Sequence, residues 1–94
     1  MIKIVAKMVI KKDKVGEFKQ TAKELIEKSR AEAGNVFYTL NQSTEDPQTL
    51  LFLECWKDEE AVQIHNASEH FTTILPILGE LCESSDPVEL YTEL

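Results

Sequence analysis

Glu54, His65, Tyr38 and Trp56 are the side chains of this sequence best suited to proton chemistry on a flat substrate. Glu54 is an acid inside an otherwise apolar run, on the strand side shared by Phe52 and Trp56. A carboxylate in such a place must be paired, hydrogen-bonded or protonated. His65 falls on a short helix just after that strand, and Tyr38 on the neighbouring strand. The set suits a phenolic or enolic compound held between aromatic walls, with His65 or Glu54 taking a proton. Each residue also has an ordinary structural reading. Glu54 can accept from the backbone or from Lys7, Trp56 can be core, His65 a helix-end residue, and Tyr38 an interface residue. On composition and spacing alone those plainer readings are the stronger ones. His70, just after a candidate N-cap, is expected to face solvent.

Other chemistries lack their motifs. The sequence has no Gly-rich phosphate loop, no GxSxG, no CxxC pair and no HExxH. His65 and His70 are five apart, which does not place them on one helix face as zinc ligands usually sit. Neither a metal nor a nucleotide cofactor is expected.

The elements that must position these residues follow from periodicity. Residues 2–10 alternate Ile2, Ile4, Ala6, Met8 and Ile10 against Lys3, Val5, Lys7 and Val9, a strand pattern. Asp13 then stands as an N-cap, and Val15, Phe18, Ala22, Leu25, Ile26 and Ala33 follow at helical spacing. Lys19, Lys23, Glu24, Glu27, Lys28 and Glu32 occupy the opposite, polar face. Gly34-Asn35 is expected to end this helix, with glycine in the left-handed position. Strand two is Val36–Gln42. Six turn-type residues from Ser43 to Gln48 lead into strand three at Thr49–Lys57, an antiparallel hairpin. Asp58, Glu59 and Glu60 open a short helix over roughly 58–66. Ser68 caps another, with Phe71, Ile74, Leu75, Leu78, Leu81 and Cys82 as its stripe and Pro76 as a kink. Ser84–Pro87 stop it, and Val88–Leu94 is the last strand. The order β-α-β-β-α-β over 1–94 specifies one α+β domain, a ferredoxin-like sandwich.

Both sheet faces are largely apolar. Leu50, Phe52, Glu54 and Trp56 lie on one side of strand three, and Leu51, Leu53 and Cys55 on the other. Helices cover one face only, so a second copy of the chain is expected over the other. The sequence carries 10 Lys+Arg against 17 Asp+Glu, a net charge of −7. That balance argues against nucleic acid and anionic membranes as partners. No stretch approaches a membrane span, and lysines interrupt the first residues, unlike a signal peptide. Cys55 and Cys82 read as reduced core thiols, which together point to a cytoplasmic protein.

The run Glu54-Cys55-Trp56-Lys57-Asp58-Glu59-Glu60-Ala61, then His65 and Ser68-Glu69-His70-Phe71, resembles the antibiotic biosynthesis monooxygenase (ABM) family. The likeness extends upstream through Gly16-Glu17-Phe18, Ser29–Asn35 and Tyr38. It implies a dimeric α+β barrel and a small cofactor-independent monooxygenase acting with O₂ on quinols or polycyclic phenols. It also implies roles: His65 as base or hydrogen-bond partner of the substrate, Glu54 orienting or tuning His65, and Tyr38, Trp56 and Phe71 lining the pocket.

Two relatives of that family bear on the activity. The haem-degrading members carry an Asn on strand one, a Trp in the short helix and a later haem-ligating His. Here Lys7 and His65 stand near the first two positions and no His follows His70, so haem degradation is not expected. The group acting on phosphorylated autoinducer-2 has a helix entry resembling Lys57-Asp58-Glu59-Glu60-Ala61-Val62-Gln63-Ile64-His65. It makes isomerisation of a keto-sugar phosphate the alternative, with Lys7 or Arg30 as the phosphate's cation. A non-catalytic dimeric binding module is the third reading. A pocket bounded by His65, Glu54 and Trp56 favours chemistry, whereas a filled core there favours the module.

Overall fold

Alternation along β1 (Ile2–Ile10) and β3 (Thr49–Trp56) builds the centre of the sheet. The two pair antiparallel from Ile2 opposite Trp56 to Val9 opposite Thr49. A computed structural model describes all 94 residues. Its remaining elements are α1 (Val15–Arg30), β2 (Asn35–Gln42), α2 (Glu59–Ala67), α3 (Glu69–Glu80), β4 (Cys82–Ser85) and β5 (Glu89–Thr92). The sheet runs β2-β3-β1-β4, entirely antiparallel, and β5 pairs with the opposite end of β1. All three helices pack on one face, the α+β arrangement expected from the element order. No helix is long and apolar enough to cross a membrane.

The face under the helices carries Ile4, Tyr38, Leu50, Phe52, Glu54 and Trp56, all buried. On α1, Phe18, Ala22, Leu25 and Ser29 recur at four- and three-residue steps and form its buried stripe. On the other face Val5, Leu51 and Leu53 stay half-buried and Phe37 is exposed.

Several boundaries differ from expectation. Lys14, not Asp13, precedes α1 and offers no side-chain cap; Asp13 lies in a turn closed by the Lys14 N–H on the Lys11 carbonyl. The helix stops at Arg30, so Ala33 and Glu32 lie in the turn after it. Gly34 has no left-handed φ. Its role is closeness: a Cβ there would collide with the Cβ of Ala61 on α2. Val36, expected beside Tyr38, falls in an irregularity between Asn35 and Phe37 and is exposed.

Asp58 and Ser68 cap as their types predict, accepting from Ala61 N–H at 2.8 Å and Phe71 N–H at 3.3 Å. Helix α3 continues through Pro76, which does not divide it, and ends at Glu80. Cys82 therefore belongs to a strand rather than to the helix stripe, because the free edge of β1 recruits the chain there. Ile10 pairs with Cys82, and the Lys11 N–H donates to the Leu81 carbonyl. The last strand is correspondingly shorter, Glu89–Thr92. Both cysteines are free thiols.

Candidate active site

Between the sheet and the two short helices lies a cavity of about 640 Å³. Ile4, Ala6, Phe52 and Glu54 form its floor, and Val62, His65, Phe71, Leu75 and Leu78 its roof. Val88 and Leu90 line one side while remaining well exposed, which leaves the cavity open there. Lys7 is the one basic side chain along the lining, against Glu54 and Asp86.

His65 sits at the end of α2 with 1% of its surface exposed. Aromatic rings enclose it: Trp56 at 4.4 Å between centroids, Phe71 at 4.9 Å and Tyr38 at 5.5 Å. Its Nδ1 lies 2.7 Å from Glu32 Oε2, and its Nε2 is buried without a partner. Burial lowers the His65 pKa, and the Glu32 contact only partly offsets this. A neutral imidazole beside a carboxylate keeps its proton on the facing nitrogen, since a carboxylate only accepts. The proton thus belongs on Nδ1, and Nε2 keeps a free lone pair.

Glu54 Oε1 accepts from the Trp56 indole N–H at 2.9 Å. Burial pushes the Glu54 carboxyl up to about 7, with the indole pulling down and the Glu32 charge pushing up. The Tyr38 phenol is driven well above its ordinary range by burial, then by the Glu54 charge. The cavity is thus bordered by an imidazole whose buried Nε2 has no hydrogen-bond partner and by a carboxyl held well above its ordinary range, both in apolar surroundings. That pair can take a proton from a weak acid and shelter the resulting anion from water.

The structure brings Tyr38, Trp56 and Phe71 around the His65 imidazole and puts Glu54 on the same cavity, but rearranges their parts. Glu54, His65, Tyr38 and Phe71 border the cavity; Trp56 does not, being fully buried behind Glu54. Glu54 bonds to Trp56 rather than Lys7. The carboxylate in hydrogen-bond contact with His65 is Glu32, which sequence patterning places on the solvent face of α1. Glu32 escapes that pattern because the helix ends before it and the following turn swings it inward, 33 residues from His65 in sequence. His70 is not turned to solvent either: its Nε2 lies 2.9 Å from the same Glu32 oxygen and 3.1 Å from Ser68 Oγ. The α2–α3 elbow at extended Ser68 brings the two histidines together from different helices.

Glu32, His65 and His70 are also the residues that could hold a divalent ion, their ligand atoms lying within 4.8 Å of one another. Donors on one tetrahedral zinc ion, each about 2.0–2.2 Å from it, stand roughly 3.3 Å apart. The 2.7 and 2.9 Å separations here are hydrogen-bond lengths.

Comparison with known proteins agrees with this architecture. A family model described as "Antibiotic biosynthesis monooxygenase" matches residues 1–76. A Bacillus subtilis (strain 168) protein named "Putative monooxygenase YcnE" is 41% identical over 71 residues, 76% of this chain and 75% of that protein. A conserved protein from Methanosarcina mazei Go1 superposes with a TM-score of 0.95 at 37% identity, covering 99% of this chain and 92% of its own. A crystal structure of an antibiotic biosynthesis monooxygenase gives 0.93 at 32% identity, covering 100% and 99%.

Proposed function

The chain belongs to the antibiotic biosynthesis monooxygenase family, and on that premise we propose that it is a cofactor-independent monooxygenase of a small quinol-like or polycyclic phenolic substrate. The observation that carries this reading is His65, which borders an apolar cavity and whose buried Nε2 has no hydrogen-bond partner. A phenolic O–H placed there gives its proton to Nε2. The electron-rich ring anion that remains reduces O₂ directly. One oxygen atom enters the ring and the other leaves as water, so that quinol and O₂ become hydroxyquinone and water. All four electrons come from the substrate. The protein contributes the base, the dry pocket and the aromatic walls of Tyr38 and Phe71.

The lining also supports an uncharged substrate over a sugar phosphate. One lysine faces two carboxyls along it, and Arg30 lies outside it, donating from Nε to the Tyr38 carbonyl at 2.9 Å. A phosphate dianion there would lack the cations it needs.

The working unit in this proposal is a homodimer in the cytoplasm. The half-buried face of Val5, Leu51 and Leu53, with exposed Phe37, is covered by no helix, and an identical face is its natural complement. Leu53→Glu should convert the dimer to monomer in analytical ultracentrifugation; a wild-type monomer at micromolar concentration refutes this part.

Oxygen uptake with a panel of quinols tests the chemistry. His65→Ala should lower kcat by about 10²–10⁴-fold, the range of a general base. Uptake no faster than that variant for every quinol overturns the reading. Turnover of a keto-sugar phosphate without oxygen consumption replaces it with an isomerase.

A further inference from the structure

Outside the cavity, one polar cluster has a construction that the oxygenase reading leaves unused. A single carboxylate oxygen, Glu32 Oε2, is held from two sides by imidazoles, His65 Nδ1 at 2.7 Å and His70 Nε2 at 2.9 Å. We propose that Glu32 and His70 are positioning residues: His70 pins Glu32, and the pinned carboxylate fixes His65 with its proton on Nδ1 and its Nε2 unpartnered. The proposal rests on the reading of His65 as the base.

The geometry leaves little choice of proton placement. A carboxylate oxygen only accepts, so both facing nitrogens must be donors. Ser68 reinforces this order. Its hydroxyl donates to the His65 carbonyl at 2.6 Å, which leaves its lone pairs for the Phe71 N–H and for His70 Nε2. Nε2 of His70 is therefore the N–H end of that ring. With both Nδ1 of His65 and Nε2 of His70 committed to Glu32, the lone pair of His65 is confined to Nε2.

The two rings differ in exposure, which makes His70 the outer support of the cluster. His65 is sealed, whereas the side chain of His70 is 13% open to solvent. The other groups facing the cluster are Glu54 and Tyr38 from the sheet side, and Lys57, Asp58 and Glu60 around the outer hollow beside Glu32. None of them is hydrogen-bonded to His65, so Glu32 is the side-chain hydrogen-bond partner that His65 and His70 share, their rings standing 5.9 Å apart.

Long-range ¹H–¹⁵N NMR of the histidine rings across pH tests the proposal without a substrate. Wild type should show His65 protonated on Nδ1 and bare on Nε2. His70→Gln retains an N–H toward Glu32, so His65 should keep its tautomer there, whereas His70→Ala should loosen it. Glu32→Gln should scramble the His65 tautomer while the fold, followed by backbone amide shifts, persists. An Nε2–H tautomer in wild type, or a His65 tautomer unchanged in either His70→Ala or Glu32→Gln, overturns the proposal.

With a turned-over quinol, Glu32→Gln should lower kcat on the order of 10²-fold or more at similar KM, as a misplaced tautomer does in a triad. His70→Ala should lower kcat in the same direction, and His70→Gln, which keeps an N–H toward Glu32, should restore much of it. An unchanged kcat in Glu32→Gln also overturns the proposal. If no quinol is consumed by wild type yet the NMR pattern holds, the oxygenase reading fails and the positioning of His65 stands.

Discussion

Beneath α1 the sandwich is solid, with Phe18, Ala22 and Leu25 wholly buried and the Phe18 ring 6.3 Å from Phe52. Beneath α2 and α3 the same sheet face leaves about 640 Å³ open and lined partly by Glu54 and His65. One helix of sixteen residues can lay a continuous stripe on a twisted sheet. Two shorter helices meeting at an elbow cannot, and the gap they leave is bordered by enclosed side chains that packing does not fill around. Two of the three buried polar or charged residues, Glu54 and His65, border that gap. Burial of ionisable groups is costly without partners, so the hollow half gives up stability that the solid half supplies. Reactivity and packing are thus divided between the two ends of a single sheet face.

The largest expected effect sharpens this contrast. Phe18→Ala should cost about 3–5 kcal/mol in urea unfolding, because the solid half cannot collapse onto the void. Phe71→Ala, which only widens an existing cavity, should cost about 1–2 kcal/mol while impairing turnover. Equal costs at the two positions would dissolve the distinction between the halves.

The hollow half should also carry an unusual pH dependence. Glu54 rises from its ordinary 4.5 to about 7 on folding, so the native state holds its proton more tightly than the unfolded chain. Its contribution is present below pH 4.5 and is lost as pH rises toward 7, on the order of 3 kcal/mol. His65 acts in the opposite sense. Its pKa is lowered from the ordinary 6.5, so its contribution is present above 6.5 and is lost as pH falls through the folded value. Urea midpoints between pH 4.5 and 7 should therefore show Glu54→Gln gaining on wild type as pH rises. Parallel wild-type and variant curves would mean that Glu54 is ionised normally in the folded protein.

A smaller effect tests the seam between the halves. Gly34→Ala should destabilise by about 1–3 kcal/mol through overpacking against Ala61, and adding Ala61→Gly should recover much of it. Additive losses in that double-mutant cycle would show that the close approach is not the cause. The smallest belongs to the elbow: Ser68→Ala should cost about 1 kcal/mol as a lost N-cap, measured by thermal unfolding.

The elements and their order can be read from the residues alone. Alternation in 2–10 and 49–57, the four- and three-residue steps of Phe18, Ala22 and Leu25, and the caps Asp58 and Ser68 are encoded among near neighbours, where residue type acts directly on backbone geometry. Glu54 and His65 were legible as candidates for the same reason, an acid within an apolar strand and a histidine on the next helix. Their partners come from the packing of distant elements. Glu32 meets His65 because α1 ends at Arg30 and the elbow at Ser68 aims two helices at one turn. Trp56 stands behind Glu54 rather than along the cavity because the helix–sheet spacing closes over it. The edge of β1 turned Cys82 from helix to strand. These outcomes depend on the relative placement of rigid elements, and a shift of a single residue or a few ångströms selects a different partner. Local spacing fixes the elements and the candidates, whereas the partner of each buried charge is fixed by the packing that removes its alternatives.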